Sequence, residues 1–258
     1  MSAKHNTPAL KHHFEDLGQQ HACERLGIWM FLATEILFFG GIFGAYTVYR
    51  LWYPHEFEVA SSHLNRTIAT INTMFLITSS LTMTLAIRAA KLGNRGELIR
   101  WLFATAALAT AFMVMKGFEY AEDFHEHYVP GKLFNDELAA AQAEIVGKTE
   151  AEAKAHQFKP ERQKWAKELA VQTQHKGVDS NKVQLFLCFY YIMTAIHGIH
   201  IIVGIGCILW LVWEAWRGAL PPESYSTVEA VSLYWHLVDA IWLFLMPLLY
   251  LAGAGYKH

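Results

Sequence analysis

The sequence predicts an all-α integral membrane protein, a bundle of five transmembrane helices with a polar, helical extramembrane insertion between the third and fourth. Three observations lead there. Charged residues make up only 17% of the 258 residues, while 53% are hydrophobic; soluble domains carry about 25% charged residues. The charges are also segregated. Of 21 Lys/Arg and 23 Asp/Glu, only Glu35, Arg100, Lys116 and Asp239 fall inside five apolar runs at about 27–49, 67–87, 99–118, 183–213 and 230–253. Finally, each run is long enough to cross a hydrocarbon core of about 30 Å, which takes about 20 helical residues. In lipid the backbone must satisfy its own hydrogen bonds, which selects helix. The formal net charge of −2 gives no basic excess, so a nucleic-acid partner is excluded. Residues 1–258 read as one membrane domain.

The first run follows a polar leader and is too long for the apolar core of a cleavable signal. It carries Gly40-Gly41-Ile42-Phe43-Gly44-Ala45, small residues four apart that let helices approach closely in a membrane. Tyr46, Tyr49, Trp52 and Tyr53 at its far end read as an interfacial aromatic belt, as do Trp210, Trp213 and Trp216 at the end of the fourth run. The third run has a short uncharged core, Trp101 to Met115, and Arg100 and Lys116 flank it as residues able to snorkel to the two interfaces. The fourth exceeds the needed length and must tilt or project. Between the third and fourth, residues 119–182 are rich in Ala, Glu, Lys and Gln, which favours helix. Pro160 is placed to start a helix on which Trp165 and Leu169 share a face, so a helical hairpin is expected. Cys23, Cys188 and Cys207 form no CxxC pair; those in the fourth run act as small hydrophobes.

With the N-terminus inside, Lys4, Lys11, Arg25, Arg88, Lys91, Arg95, Arg100 and Arg217 lie on the cytoplasmic side. Only Arg50, Arg66 and Lys257 lie in short outer segments. The positive-inside rule therefore places the N-terminus in the cytoplasm and the C-terminus and the 119–182 insertion outside.

Five polar residues in the apolar runs stand out beside the flanking cations. Glu35 lies about 12 Å into the first helix at 1.5 Å per residue. An acid there is costly, so it must stay neutral or find a donor, and such acids mark proton or ion paths by default. His197 and His200 sit three apart on one helix, and His236 and Asp239 repeat that spacing on the next. These four read as a hydrogen-bonded set between helices four and five or a contact with lipid headgroups. The alternative is a metal or haem site. Two His one turn apart on one helix cannot clasp both faces of one haem, so a haem-binding anchor would need His236 as the second ligand. No P-loop, HExxH, GxSxG or GxGxxG motif occurs, and no catalytic or metal-binding residue is assigned.

Four blocks carry a resemblance: Gly27–Phe39 (GIWMFLATEILFF), Phe118–Glu122 (FEYAE), Phe189–His200 (FYYIMTAIHGIH, continuing to Gly204) and Tyr234–Leu245 (YWHLVDAIWLFL). In this order they resemble subunit III of the haem-copper terminal oxidases, in its five-helix form. The resemblance implies a non-redox subunit of a proton-pumping oxidase that takes cytochrome c or quinol and reduces O2 to water. Haem and copper would sit in partner subunits, with none in this chain. Subunit I is the implied main contact, possibly carrying the two helices that seven-helix members have in addition. Subunit II, other respiratory subunits and bound phospholipid complete the expected partners, in a bacterial plasma membrane. Glu35 falls on the family's intramembrane glutamate, the residue attacked by hydrophobic carbodiimides. The resemblance also implies support of proton uptake and protection of subunit I, while the 119–182 insertion is long for the family. A subunit III-like component of a nitric oxide reductase is the alternative within the same helices, and a small transporter using Glu35 is a more distant one.

Overall fold

Long apolar sequence becomes long helix in the computed structural model, which describes residues 17–145, 164–218 and 225–251. The described elements are α1 (Leu17–Trp52), α2 (Pro54–Ser62), α3 (Arg66–Lys91), α4 (Arg95–His125), α5 (Lys132–Ile145), α6 (Lys164–Lys176), α7 (Ser180–Arg217) and α8 (Tyr225–Tyr250). No strand occurs among the described residues. Helices α1, α3, α4, α7 and α8 are long and apolar enough to cross a bilayer. They are the five expected spans, lengthened at their polar ends. α1 begins at Leu17 rather than near residue 27, and α4 runs on to His125.

Local chemistry sets the helix starts. The Asn65 side-chain oxygen accepts from the Ile68 N–H at 3.2 Å, Asn94 from Glu97 at 3.3 Å, and Asp179 from Asn181 at 2.9 Å. Each satisfies a backbone donor that the first turn leaves free. Pro54 opens α2, where its missing N–H costs nothing. Gly93, at φ 69°, makes the left-handed turn between α3 and α4, a conformation open to glycine without penalty.

The chain divides into two compact units, each assembled from several stretches. Unit 1 comprises Met1–Ile42, Met74–Ala111 and Ile199–Ile241. Its core holds Leu32, Phe39, Met83, Leu102, Leu211 and Trp235. A close helix approach there is at Gly204 of α7, where an added Cβ would lie 2.8 Å from the Trp235 ring of α8. The small-residue face of α1 behaves otherwise. A Cβ at Gly40 or Gly41 would meet nothing within 4 Å, so that face is not packed on another described helix of this chain.

Unit 2 comprises Phe43–Thr73, Phe112–Gly198 and Trp242–His258. Here the insertion forms α5 and α6, which pack on one another; Phe134 stacks on Trp165 at 4.8 Å. Trp165 and Leu169 are both buried, as a helical face requires, while Pro160 lies outside the described residues. The side chain of Gln184 accepts from the Gly131 N–H at 3.2 Å and donates to Asn135 at 2.7 Å, closing the base of the insertion on α7.

Two expectations change in unit 2. Tyr46 is fully buried rather than part of an aromatic belt, because its hydroxyl donates to the Leu248 carbonyl at 2.6 Å. Lys116 does not snorkel. Its side chain is 9% exposed and its ammonium lies 2.9 Å from Glu119, one turn further along α4, where a counter-charge makes the interior tolerable.

Candidate functional site

In unit 1, Leu32, Glu35 and Phe39 recur at the three- and four-residue spacing that puts side chains on one face of α1. Leu32 and Phe39 are buried and Glu35 is half-buried. Glu35 Oε2 lies 3.0 Å from His200 Nε2 on α7, with the two side chains 19% and 18% exposed. The Phe39 ring packs edge-on against the imidazole at 5.2 Å. Tyr234 of α8 donates its hydroxyl to the His200 carbonyl at 3.0 Å, which ties the pair to a third helix. Ile36, Leu37 and Phe38, the next residues of α1, are exposed. The acid therefore finds its partner at the border of an apolar surface, and a carboxyl and an imidazole at this distance can exchange one proton.

His236 and Asp239 turn to α3. His236 Nε2 lies 3.3 Å from both the Ser80 carbonyl and the Thr84 hydroxyl. The Ser79 hydroxyl accepts from the Trp235 indole N–H at 3.1 Å, donates to the Leu76 carbonyl at 2.7 Å and lies 3.4 Å from Asp239 Oδ2. His197 belongs to unit 2, where it is buried, stacked on Trp242 at 5.3 Å and met edge-on by Phe112. The four residues expected to join helices four and five are thus distributed. His200 pairs with the first span, His236 and Asp239 face the second, and His197 packs among rings. Helical spacing gave the face of each side chain but not the neighbouring helix. Among the described residues no three His, Cys, Asp or Glu converge as metal ligands.

A second polar cluster, in unit 2, escaped the sequence reading. The Lys116 ammonium contacts Glu119 Oε2 at 2.9 Å, the Tyr250 hydroxyl at 2.8 Å and the Tyr190 hydroxyl at 3.3 Å. Both phenols donate to Glu119 Oε1, Tyr190 at 2.9 Å and Tyr250 at 2.6 Å. Four rings, those of Tyr120, Tyr190, Trp242 and Tyr250, stand 5.2–5.5 Å from the ammonium, so cation–π attraction adds to the ion pair. The Lys-x-x-Glu spacing was visible in sequence; the two tyrosines, on α7 and at the end of α8, were not.

Just beyond, the end of α8 is capped by side chains. Tyr46, Ser61 and Arg66 donate to the carbonyls of Leu248, Leu249 and Tyr250 at 2.6, 2.7 and 3.1 Å. These are last-turn carbonyls that a helix cannot satisfy itself, and a cation suits that end of the dipole. Also in unit 2, a cleft of about 810 Å³ opens between α6 and the α2 and α4 ends, lined among others by His63, Asp123, Glu126, Tyr128, Trp165 and Glu168. Burial, then the neighbouring Glu122 carboxylate, raises Glu126 above the usual carboxylate range.

Comparison with known proteins bears on both units. The model of the family described as "Cytochrome c oxidase subunit III" matches residues 19–126 and 176–254, passing over most of the insertion. A cytochrome c oxidase subunit 3 of Thermostichus vulcanus is 27% identical over 88% of this chain and 86% of its own length. A cytochrome bo(3) ubiquinol oxidase subunit 3 of Pseudomonas aeruginosa is 23% identical over 88% of the chain and 84% of that protein. A heme-copper oxidase subunit I+III of Aeropyrum pernix is 25% identical over 88% of the chain, which spans 22% of that longer protein.

Proposed function

The chain belongs to the cytochrome c oxidase subunit III family, and from that premise we propose that it supports proton uptake, lipid binding and the stability of subunit I in a proton-pumping haem-copper terminal oxidase. As a subunit III it is part of an oxidoreductase complex and associates with other oxidase subunits such as subunit I. In this reading haem and copper reside in the partners and supply the reduction of O2, while this chain contributes a proton site and a lipid-bearing surface. The N-terminus faces the cytoplasm, and the insertion and C-terminus face outward.

The observation that carries the reading is the Glu35–His200 contact of 3.0 Å beside exposed Ile36, Leu37 and Phe38. A carboxyl at membrane depth is expensive to keep. An imidazole within hydrogen-bond reach lets it take or release a proton without stranding a bare charge in hydrocarbon. Lipid binding has separate support in unit 1. The ends of α3 and α4 enclose a cleft of about 440 Å³ lined by Arg88, Arg100, Trp101 and aliphatic Leu85 and Leu92, with Glu97, 3.9 Å from Arg100, as its one carboxylate. Cations over an apolar wall suit an anionic phospholipid headgroup and its first acyl carbons.

The test is Glu35→Ala in the purified complex. Haem content is expected to stay at the wild-type level, carbodiimide labelling of this subunit to vanish, and proton uptake during turnover to slow. Persistent labelling of this subunit would overturn the assignment of Glu35. Failure of the tagged chain to recover a haem-bearing polytopic partner from mild detergent would overturn the wider reading.

A further inference from the structure

We propose that Asp239 is a second proton-binding site of this chain, a carboxylic acid that keeps its proton in the seam between α3 and α8 and exchanges it by way of His236. Both residues, and the α3 residues they meet, lie in unit 1. Asp239 is 5% exposed and sits within a membrane-spanning helix. Its Oδ1 meets no polar group among the described residues. Nothing charged on a neighbouring described helix acts on it; burial and the Ser79 and Ser80 hydroxyls make up its surroundings. A buried carboxylate needs donors at both oxygens and a cation beside it, and Asp239 has no such setting.

Ser79 shows where the proton sits. A serine hydroxyl has one hydrogen and two lone pairs. Here the hydrogen goes to the Leu76 carbonyl at 2.7 Å, and one lone pair accepts from the Trp235 N–H at 3.1 Å. The remaining lone pair faces Asp239 Oδ2 at 3.4 Å and can only accept. A protonated acid supplies the missing donor, and a carboxylate does not. A charged oxygen would also have drawn the hydroxyl in to about 2.5–2.7 Å.

The proton has one direction in which to leave. The Trp235 indole only donates and the Leu76 carbonyl only accepts, so the Ser79 side is closed. On the other side stands Ser80, whose hydroxyl neighbours Asp239 and whose carbonyl lies 3.3 Å from His236 Nε2. The same nitrogen lies 3.3 Å from the hydroxyl of Thr84, an exposed residue of α3. Imidazole is the side chain best suited to pass protons near neutral pH, and His236 stands one turn before Asp239 on α8. Loading moves a proton alone. The imidazolium N–H bond breaks, the Ser80 hydroxyl takes that proton and gives up its own, and the Asp239 O–H bond forms; release is the reverse. The site goes beyond the role proposed for Glu35 and does not depend on it, because the two acids have different partners.

The test is infrared difference spectroscopy on the full chain in its purified membrane complex, with aspartates labelled by heavy carbon at the side-chain carboxyl. Subtracting the Asp239→Asn spectrum from wild type at neutral pH is expected to leave the carbonyl stretch of a protonated carboxylic acid, which shifts down on transfer to D2O. A carboxylate stretch in its place overturns the site. His236→Gln is expected to slow the D2O shift about a hundredfold, and an unchanged rate overturns the exchange route. If Asp239→Asn does not assemble, Ser79→Ala decides the matter. The acid band should then move to higher frequency as its hydroxyl loses an acceptor, and a band that stays in place overturns the assignment. Carbodiimide labelling of the same preparations reports Glu35 separately, so the failure of either reading is seen by itself.

Discussion

Lys116 and Glu119 place opposite charges 2.9 Å apart with side-chain exposures of 9% and 4%, and their hydrogen bonds are completed by two phenols. A buried pair of this kind is tolerated because both members are present; removing one strands the other. Lys116→Met is expected to destabilise the assembled protein by about 3–5 kcal/mol, and Lys116→Met/Glu119→Gln by clearly less than the single change. Thermal unfolding in detergent with a four-member mutant cycle reads this; additive losses would mean that the two charges are not coupled. The same pair shows where residue-level sequence reading stops. Glu35 was legible because depth alone makes an intramembrane acid costly. Lys116 lies at the edge of the same kind of run, and its depth allows either a turn outward or a turn inward. The deciding groups are Tyr190 and Tyr250, 74 and 134 positions away.

At the scale of an element, Gly204 is the point at which α7 meets the Trp235 ring. The ring cannot retreat easily, being fully buried and bonded through its N–H to Ser79. Gly204→Ala is expected to cost about 1–3 kcal/mol through overpacking, while Gly41→Ala, with nothing within 4 Å, leaves the chain's own stability nearly unchanged. Thermal midpoints of the two variants separate them. Helix placement itself was readable, since composition over a score of residues sets it. α2 was missed because nine residues of mixed polarity carry too little signal, although Pro54 marks its start. The small-residue face of α1 was legible as a motif, but not the surface it meets. Such a motif states that close approach is possible and says nothing of which helix takes it up.

The molecule as a whole separates a family-like part from an added one. The family match passes over 127–175, the segment that builds α5 and α6 on top of Gln184. Because Gln184 bonds both Gly131 and Asn135, the base of the insertion is closed. Replacing 132–176 with a short Gly/Ser linker is expected to leave membrane integration and haem content of the complex intact; loss of either, read by alkaline extraction and optical spectroscopy, would show that the insertion is needed for assembly. The seat of α8 has the opposite standing. Tyr46, Ser61 and Arg66 precede by some two hundred residues the carbonyls they hold at 248–250. During synthesis these three bonds cannot form until the final span leaves the translocon. A ribosome that stops short of residue 248 thus releases a product whose first three helices advertise its incompleteness, and membrane proteases should clear it faster than the finished chain.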